Sequence, residues 1–298
     1  GNGRGTYQYL NTVSYLAEET LTYDKTIGNS TINALGGYSY QTYQTNSYGN
    51  VYWGLYTPVV NASDNFIKDK SGFKNVAQAY IPQNTQYSIQ SYFARVNYGF
   101  MDKYLITGTV RVDGSSKFGA ANRYGVFPAG AIKWKMLKES FAENSLGRLF
   151  SDLSFRTNYG QIGNQDPLTP YSAVNLNQTM VDPSTGNPIT ALDHQGNPNL
   201  KWEVATTTGV GLDWAIKSSR LSGTIDYFNT QRKNMIFFGP TPGGFSATSN
   251  YYSNLKGIVV NSGVEFNFHY EAIIKGKFNW NIDYNQTFYH NTTKDFPY

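Results

Sequence analysis

Four carboxylates and three guanidinium groups occupy positions from which acid–base chemistry could be run. Asp213, Asp226, Glu265 and Asp283 stand at the polar positions of segments in which polar and apolar residues alternate, and Arg95, Arg111 and Arg156 do so in others. A retaining glycosidase needs two carboxyls about 5 to 5.5 Å apart and an inverting one about 6.5 to 9.5 Å; spacing along the chain sets no such pair. Residues of these types along one side of many strands can instead line a water-filled passage, where the arginines pair with the carboxylates. On that reading Arg95, Arg111, Arg156, Asp226, Glu265 and Asp283 face a lumen, and no residue is assigned a catalytic role.

Other chemistries find less to work with. His194, His269 and His290 lack metal-ligand spacing, there is no Cys, and no Ser sits in a nucleophile motif. DPSTGN from Asp182 lacks the twelve-position pattern of an EF-hand and reads as a turn. GVGLD from Gly209 lies inside an alternating segment and opens no helix, so it is not a dinucleotide loop. Its glycines are expected to relieve crowding or bend a sheet. Neither a metal nor a cofactor is expected.

Aromatic residues form the second group able to engage a ligand. Tyr48, Tyr52, Trp53 and Tyr56, then Tyr171 and Trp202, then Phe237, Phe238, Phe245, Tyr251 and Tyr252 fall in three stretches rich in Gly, Pro and Asn. Such rings can stack on sugars or grip peptides, or simply pack loops together. Trp53, Tyr56, Tyr171, Trp202, Phe245 and Tyr251 are the candidates for contact with a substrate or a partner protein.

What must position these side chains is a set of strands. Tyr104, Ile106, Gly108, Val110 and Val112 alternate with Leu105, Thr107, Thr109, Arg111 and Asp113, the period of two that gives a strand one apolar and one polar side. Similar segments run over 6–17, 30–42, 89–98, 124–135, 152–162, 206–216, 221–228, 264–270 and 278–285. Pro128 suggests a bulge, and 136–151 allows one short helix. Between them, 43–85, 163–202 and 231–256 read as large surface loops, while 99–103 is a tight turn. Gly1 to Gly5 reads as the middle of a loop, as in a mature segment or fragment.

Composition bounds the class. The 298 residues hold no run of about 18 apolar residues that could span a bilayer as a helix. Aromatics reach 16% against only 15% charged residues, a balance suited to an oil–water boundary rather than an ordinary soluble surface. The net charge of +4 without a Lys/Arg cluster gives no support to nucleic-acid binding. About ten strands of roughly 10 to 13 residues, tilted near 40°, would each cover the roughly 25 Å apolar band of an outer-membrane barrel. Loops alternate short and long, and long loops outside would put both termini on the outer rim, as in an internal piece of a larger barrel.

The runs YLITGTVRVDGSSKFGAANRYGVFPAGAIKWK, SDLSFRTNYGQIGNQ and NPNLKWEVATTTGVGLDWAIKSSRLSGTIDYFNTQRKNMI resemble SusC/RagA-like TonB-dependent outer-membrane transporters of Bacteroidota. The likeness covers about Tyr92 to Tyr298 well and the first 90 residues more loosely. It implies an all-β transmembrane antiparallel β-barrel of about 22 strands, of which 1–298 supplies about ten as a partial TonB-dependent receptor barrel domain lacking the plug and closing strands. It further implies a SusD-like surface lipoprotein as lid, energy from the TonB complex through parts outside this chain, oligosaccharide or peptide substrates, contact with outer-membrane lipid, and no enzymatic activity. The rival readings are a passive porin or adhesin barrel and a soluble carbohydrate-binding β protein, in which the apolar faces would pack on one another.

Overall fold

In a computed structural model, which describes residues 3–55, 73–75, 79–181, 188–217, 220–240, 250–275 and 278–296, the chain is a meander of antiparallel strands. Its long strands are β1 (Gly3–Ile27), β2 (Ser30–Leu55), β4 (Ala79–Phe100), β5 (Tyr104–Ser115), β6 (Tyr124–Lys135), β7 (Phe150–Asn164), β10 (Glu203–Ile216), β11 (Leu221–Lys233), β14 (Ile258–Lys275) and β15 (Phe278–Lys294). They are hydrogen-bonded in that order, with β3 (Phe73–Asn75) added to β2. Two small hairpins stand off this sheet: β8 (Leu176–Val181) with β9 (Pro188–His194), and β12 (Ile236–Pro240) with β13 (Asn250–Asn254). Among the described residues one short α-helix, α1 (Ser140–Leu146), lies between β6 and β7.

The chain forms two compact units, 1–17 with 41–88 and 18–40 with 89–298. In the first, Tyr43 stacks on Tyr87 with ring centroids 4.6 Å apart, and the Thr12 and Thr45 hydroxyls hydrogen-bond at 2.9 Å. The second holds the features developed below.

Register places the two faces without ambiguity. Tyr98, Ile106, Ile132, Thr157, Val210, Tyr227, Val264 and Phe288 form one cross-strand row. This side of the sheet is not packed on a second layer: Val210 is 42% and Trp280 52% exposed. Burying such a face in hydrocarbon gains the transfer free energy that water withholds. The ends of the apolar strip are aromatic. On β6, Tyr124 and Trp134 both face outward ten residues apart, about 33 Å along the strand and about 25 Å along the membrane normal at a tilt near 40°. Tyr124 and Tyr92 share the amide of Gln90, whose nitrogen donates to Tyr92 Oη at 2.6 Å and whose oxygen accepts from Tyr124 Oη at 3.3 Å. Tyr104 pairs with Trp134 at the other end. These amphipathic rings mark the two levels where oil meets water.

Several sequence expectations are corrected. β5, β6 and β11 keep the expected length, at 12, 12 and 13 residues, while the other long strands exceed it, up to 26 residues in β2. Strand β1 takes in Gly3 to Gly5, expected as loop, and the expected loop over 43–85 is strand as far as Leu55 and again from Ala79, while 56–72 lies outside the described residues. Backbone hydrogen bonds carry a strand on without an apolar face once it leaves the hydrocarbon, so hydrophobic alternation stops before the strand does. The expected loops over 163–202 and 231–256 contain the two small hairpins. No bulge forms at Pro128, which pairs in register with Val110; the ladder between β6 and β7 starts only at Ala129, so no donor is required of the proline on that side. The tight turn after β4 is as expected: Met101 and Asp102 both have positive φ, and Lys103 N–H donates to Phe100 O at 3.0 Å.

Candidate functional site

The polar side of the sheet is built around one guanidinium. Arg156 on β7 lies directly across from Gly211 on β10, which in turn faces Asp226 on β11. Arg156 Nε donates to Asp213 Oδ1 at 2.7 Å and its Nη2 reaches the Asp226 carboxylate at 2.8 Å. Asp213 offers its second oxygen to Lys133 Nζ at 2.8 Å. Two cations and two carboxylates from four consecutive strands thus alternate in space. A Cβ at Gly211 would collide with Asp226 Oδ1 and crowd the Arg156 guanidinium, so the glycine leaves the groove through which the arginine crosses β10.

The other polar-face candidates are held separately. Arg111 donates to Asp113 at 2.7 Å and to Ser91 Oγ at 2.8 Å, with its guanidinium 5.5 Å from the centre of the Phe93 ring. Arg95 reaches Thr109 Oγ1 at 3.3 Å. Glu265 sits across from Asp226, and Asp283 across from His269, with 2.7 Å between its carboxylate and His269 Nδ1. Of the three arginines only Arg156 pairs with the expected carboxylates; Arg111 takes a carboxylate two residues along its own strand, and Arg95 a hydroxyl. Among the described residues no three His, Asp or Glu converge as a metal site.

At the long-loop end, beyond the last paired rung of β6 and β7, lies the main hydrophobic cluster. Phe118, Phe127, Leu168, Leu200, Trp202 and Tyr252 pack together, with Trp202 stacked at 4.7 Å on Phe118 and edge-on at 5.6 Å to Phe127. Phe127 finds room because Gly125 and Gly163 lie beneath its ring. Glu203, buried beside this cluster, accepts from Ile236 N–H at 3.2 Å and pairs with Arg232 at 3.5 Å, tying the β12 hairpin to β10.

This arrangement sorts the aromatic candidates. Trp202 is only 8% exposed and spends its indole N–H on Arg123 O at 3.3 Å, so the expectation of a contact surface there is corrected to a packing role. Tyr171 is 37% exposed with φ +69°, and Tyr251 is half-buried, its backbone bridged to Gln195. Trp53 pairs through its backbone with Asn75; its side chain, Tyr56 and Phe245 lie outside the described residues. The sequence reading missed Lys133 and the role of Gly211, because the offset between neighbouring strands is not written in either strand. Only the glycine-alternating run GVGLD hinted that a side chain from elsewhere crosses there.

A continuous antiparallel sheet, apolar and unpacked on one side, ionic on the other, with aromatic levels about 25 Å apart, defines an outer-membrane β-barrel wall. Among the described residues no helix is long and apolar enough to cross a membrane. Residues 1–298 match the family model described as TonB dependent receptor-like, beta-barrel, and the chain belongs to that family. It is 32% identical over 291 residues to TonB-dependent receptor P3 of Formosa agariphila, covering 95% of this chain and 27% of that protein. It is 33% identical over 218 residues to TonB-dependent receptor SusC of Bacteroides thetaiotaomicron, covering 72% of this chain and 21% of that one. Among solved structures, the RagAB peptide transporter superposes with a TM-score of 0.76 at 25% identity over 99% of this chain and 31% of the matched chain. The chain therefore spans about a quarter of the length of these curated relatives. It is a SusC/RagA-like outer-membrane protein, which sets aside the soluble carbohydrate-binding reading.

Proposed function

We propose that this chain is part of the barrel wall of an importer that uses TonB to bring oligosaccharides or peptides through the outer membrane, with a SusD-like lipoprotein as lid and without chemistry on the solute. The observation that carries the reading is the ionic row of Lys133, Arg156, Asp213 and Asp226 on the side of the sheet opposite the lipid-facing strip. Charges fixed there line the lumen and give a plug domain a polar surface to dock on. Both carboxylates are already held by cations, which suits a structural and docking role rather than proton transfer. The similarity to the RagAB peptide transporter supports the peptide class, and the oligosaccharide class rests on the resemblance of the sequence runs to SusC/RagA-like transporters. Of the candidates for contact, Tyr171 and the half-buried Tyr251 remain for solute or lid, beside Phe237 and Phe238, which are about half exposed.

The test is uptake by cells carrying the full-length gene with its neighbouring lipoprotein gene. Labelled oligopeptides and oligosaccharides are offered in strains with and without TonB. Uptake of one class that vanishes without TonB supports the proposal; uptake that continues at the same rate without TonB identifies a passive porin, and surface binding without uptake an adhesin.

A further inference from the structure

We propose that the lumen side of β11, β14 and β15 carries a stacking site for a neutral sugar ring, with Phe228 as its platform and Glu265 as its polar clamp. The site presupposes the importer reading above and takes one of its two substrate classes, the oligosaccharides. Asn158 on β7, Gly209 on β10, Phe228 on β11, Gly263 on β14 and Tyr289 on β15 lie directly across from one another. This row faces the same side of the sheet as Arg156, Asp226 and Glu265, two residues along each strand toward the long-loop rim.

The glycines decide how the platform lies. A Cβ at Gly263 would stand 2.8 Å from the tip of the Phe228 ring, so the ring lies down over that glycine and turns a face to the lumen. On its other flank Asn158 leans across Gly209, where a Cβ would stand 2.6 Å from the Asn158 Oδ1. Tyr289 is two strands from Phe228, about 10 Å away, and is 67% exposed. Aromatic surface turned to water costs transfer free energy that the fold does not recover. Two such rings in an otherwise polar wall call for a ligand with an apolar face.

The polar groups around the rings select that ligand. Among the described residues Glu265, Asn158 and Asn261 have no hydrogen bond or ion pair, whereas Asp226, directly opposite Glu265, is held by Arg156. Glu265 therefore lacks a donor, and a sugar hydroxyl supplies one; the two carboxamides add donors and acceptors at the edge of the platform. A saccharide presents C–H groups on its ring faces and hydroxyls around its rim, which matches an aromatic face edged by a carboxylate and amides. A peptide backbone would seek backbone partners, and the ladders of these strands have already used them. Acidic sugars are selected against, because Asp226 has a cation and Glu265 has none, leaving negative charge beside the platform.

The experiment is equilibrium binding to the full-length receptor purified in detergent, which needs no TonB and so succeeds or fails independently of the importer reading. The probes are labelled hexamers of glucose, mannose, galactose and xylose, a hexamer of galacturonic acid, and hexa-alanine. At least one neutral hexamer is expected to bind, and more tightly than the acidic hexamer or the peptide. Phe228→Ala and Phe228→Leu should each weaken it about tenfold, and Phe228→Trp should keep it within about twofold. Glu265→Gln should bring the acidic hexamer at least about threefold closer to the neutral one. Gel mobility before and after heating confirms folding, and Phe228→Leu keeps apolar volume should the alanine variant not fold. Binding of no neutral hexamer overturns the proposal, as does undiminished binding by the Phe228 variants, or a preference for the peptide or the galacturonate. Lower urea stability of Phe228→Leu with sugar binding intact would assign the ring to plug docking and equally overturn it.

Discussion

Arg156 and Asp226 meet over Gly211, at 2.8 Å, because the residue between them on β10 has no side chain. A methyl group at 211 would have to displace the ion pair, so Gly211→Ala is expected to cost about 1 to 3 kcal/mol as an overpacked site. Arg156→Ala alone should cost about 1 kcal/mol, since the pair is partly exposed and Lys133 still holds Asp213. In the double variant the crowding is relieved, and the summed cost should fall short of the two singles. Unfolding of the detergent-refolded barrel in urea measures all three; strict additivity would show that glycine and arginine do not interact.

The sidedness of the sheet makes a sharper contrast between adjacent residues. Val110 lies in the lipid-facing strip and is 41% exposed, while Thr109 looks to the polar side beside Arg95. Val110→Arg is expected to cost about 2 to 4 kcal/mol when the protein inserts in bilayers, and Thr109→Arg under about 1 kcal/mol. Comparable costs for the two would reverse or abolish the assigned faces. Leu212, Val264 and Ile282 belong with Val110 by register, and Asn279 and Asn281 with Thr109.

Where the bilayer acts on the chain, the sequence was legible. The alternation of YGVFPAGAIKWK marks β6 to the residue, because hydrocarbon on one side and water on the other impose the period of two. Beyond the bilayer no such pressure exists, and the Tyr- and Asn-rich outer parts of β2 and β4 read as loop although they are strand. The rim cluster was hidden for a different reason. Phe118, Leu168, Leu200 and Tyr252 come from three separate connecting segments, none with a periodicity of its own, and only pairing of the strands brings them to Phe127. The ionic row needed both the strand offsets and Gly211, of which only the glycine was visible.

Trp202 offers a test of packing against recognition. With Phe118 and Phe127 against its ring, Trp202→Ala leaves a cavity and should cost about 3 to 5 kcal/mol. The loss should appear as faster hydrogen exchange and proteolysis across 163–202 and 250–256, with the strands below unchanged. Tyr171→Ala should leave both rates within error. If Trp202→Ala instead weakens only solute or lid binding and leaves exchange untouched, the ring is a recognition surface after all.

At the opposite rim, acid should loosen one connector before the rest. The Lys135 ammonium, at 2.5 Å, and then Lys138 hold the Asp102 carboxyl below its ordinary range. Glu139 is lowered by the Tyr104 hydroxyl at 2.6 Å, then by Lys103, and it also accepts the Trp134 indole N–H at 3.3 Å. Carboxyls with depressed folded-state values add stability that is present above the unfolded value, near 4, and is lost as pH falls through the folded one. Between pH 7 and about 5 the connector bearing α1 should therefore be unchanged, and below about 4 it should open. Trp134 fluorescence follows this directly, because protonating Glu139 takes the charge from the carboxylate that accepts its N–H. Glu139→Gln should abolish the acid transition in that signal while sparing the Asp102 turn; a transition of the same size and midpoint in the variant would assign the change to another group.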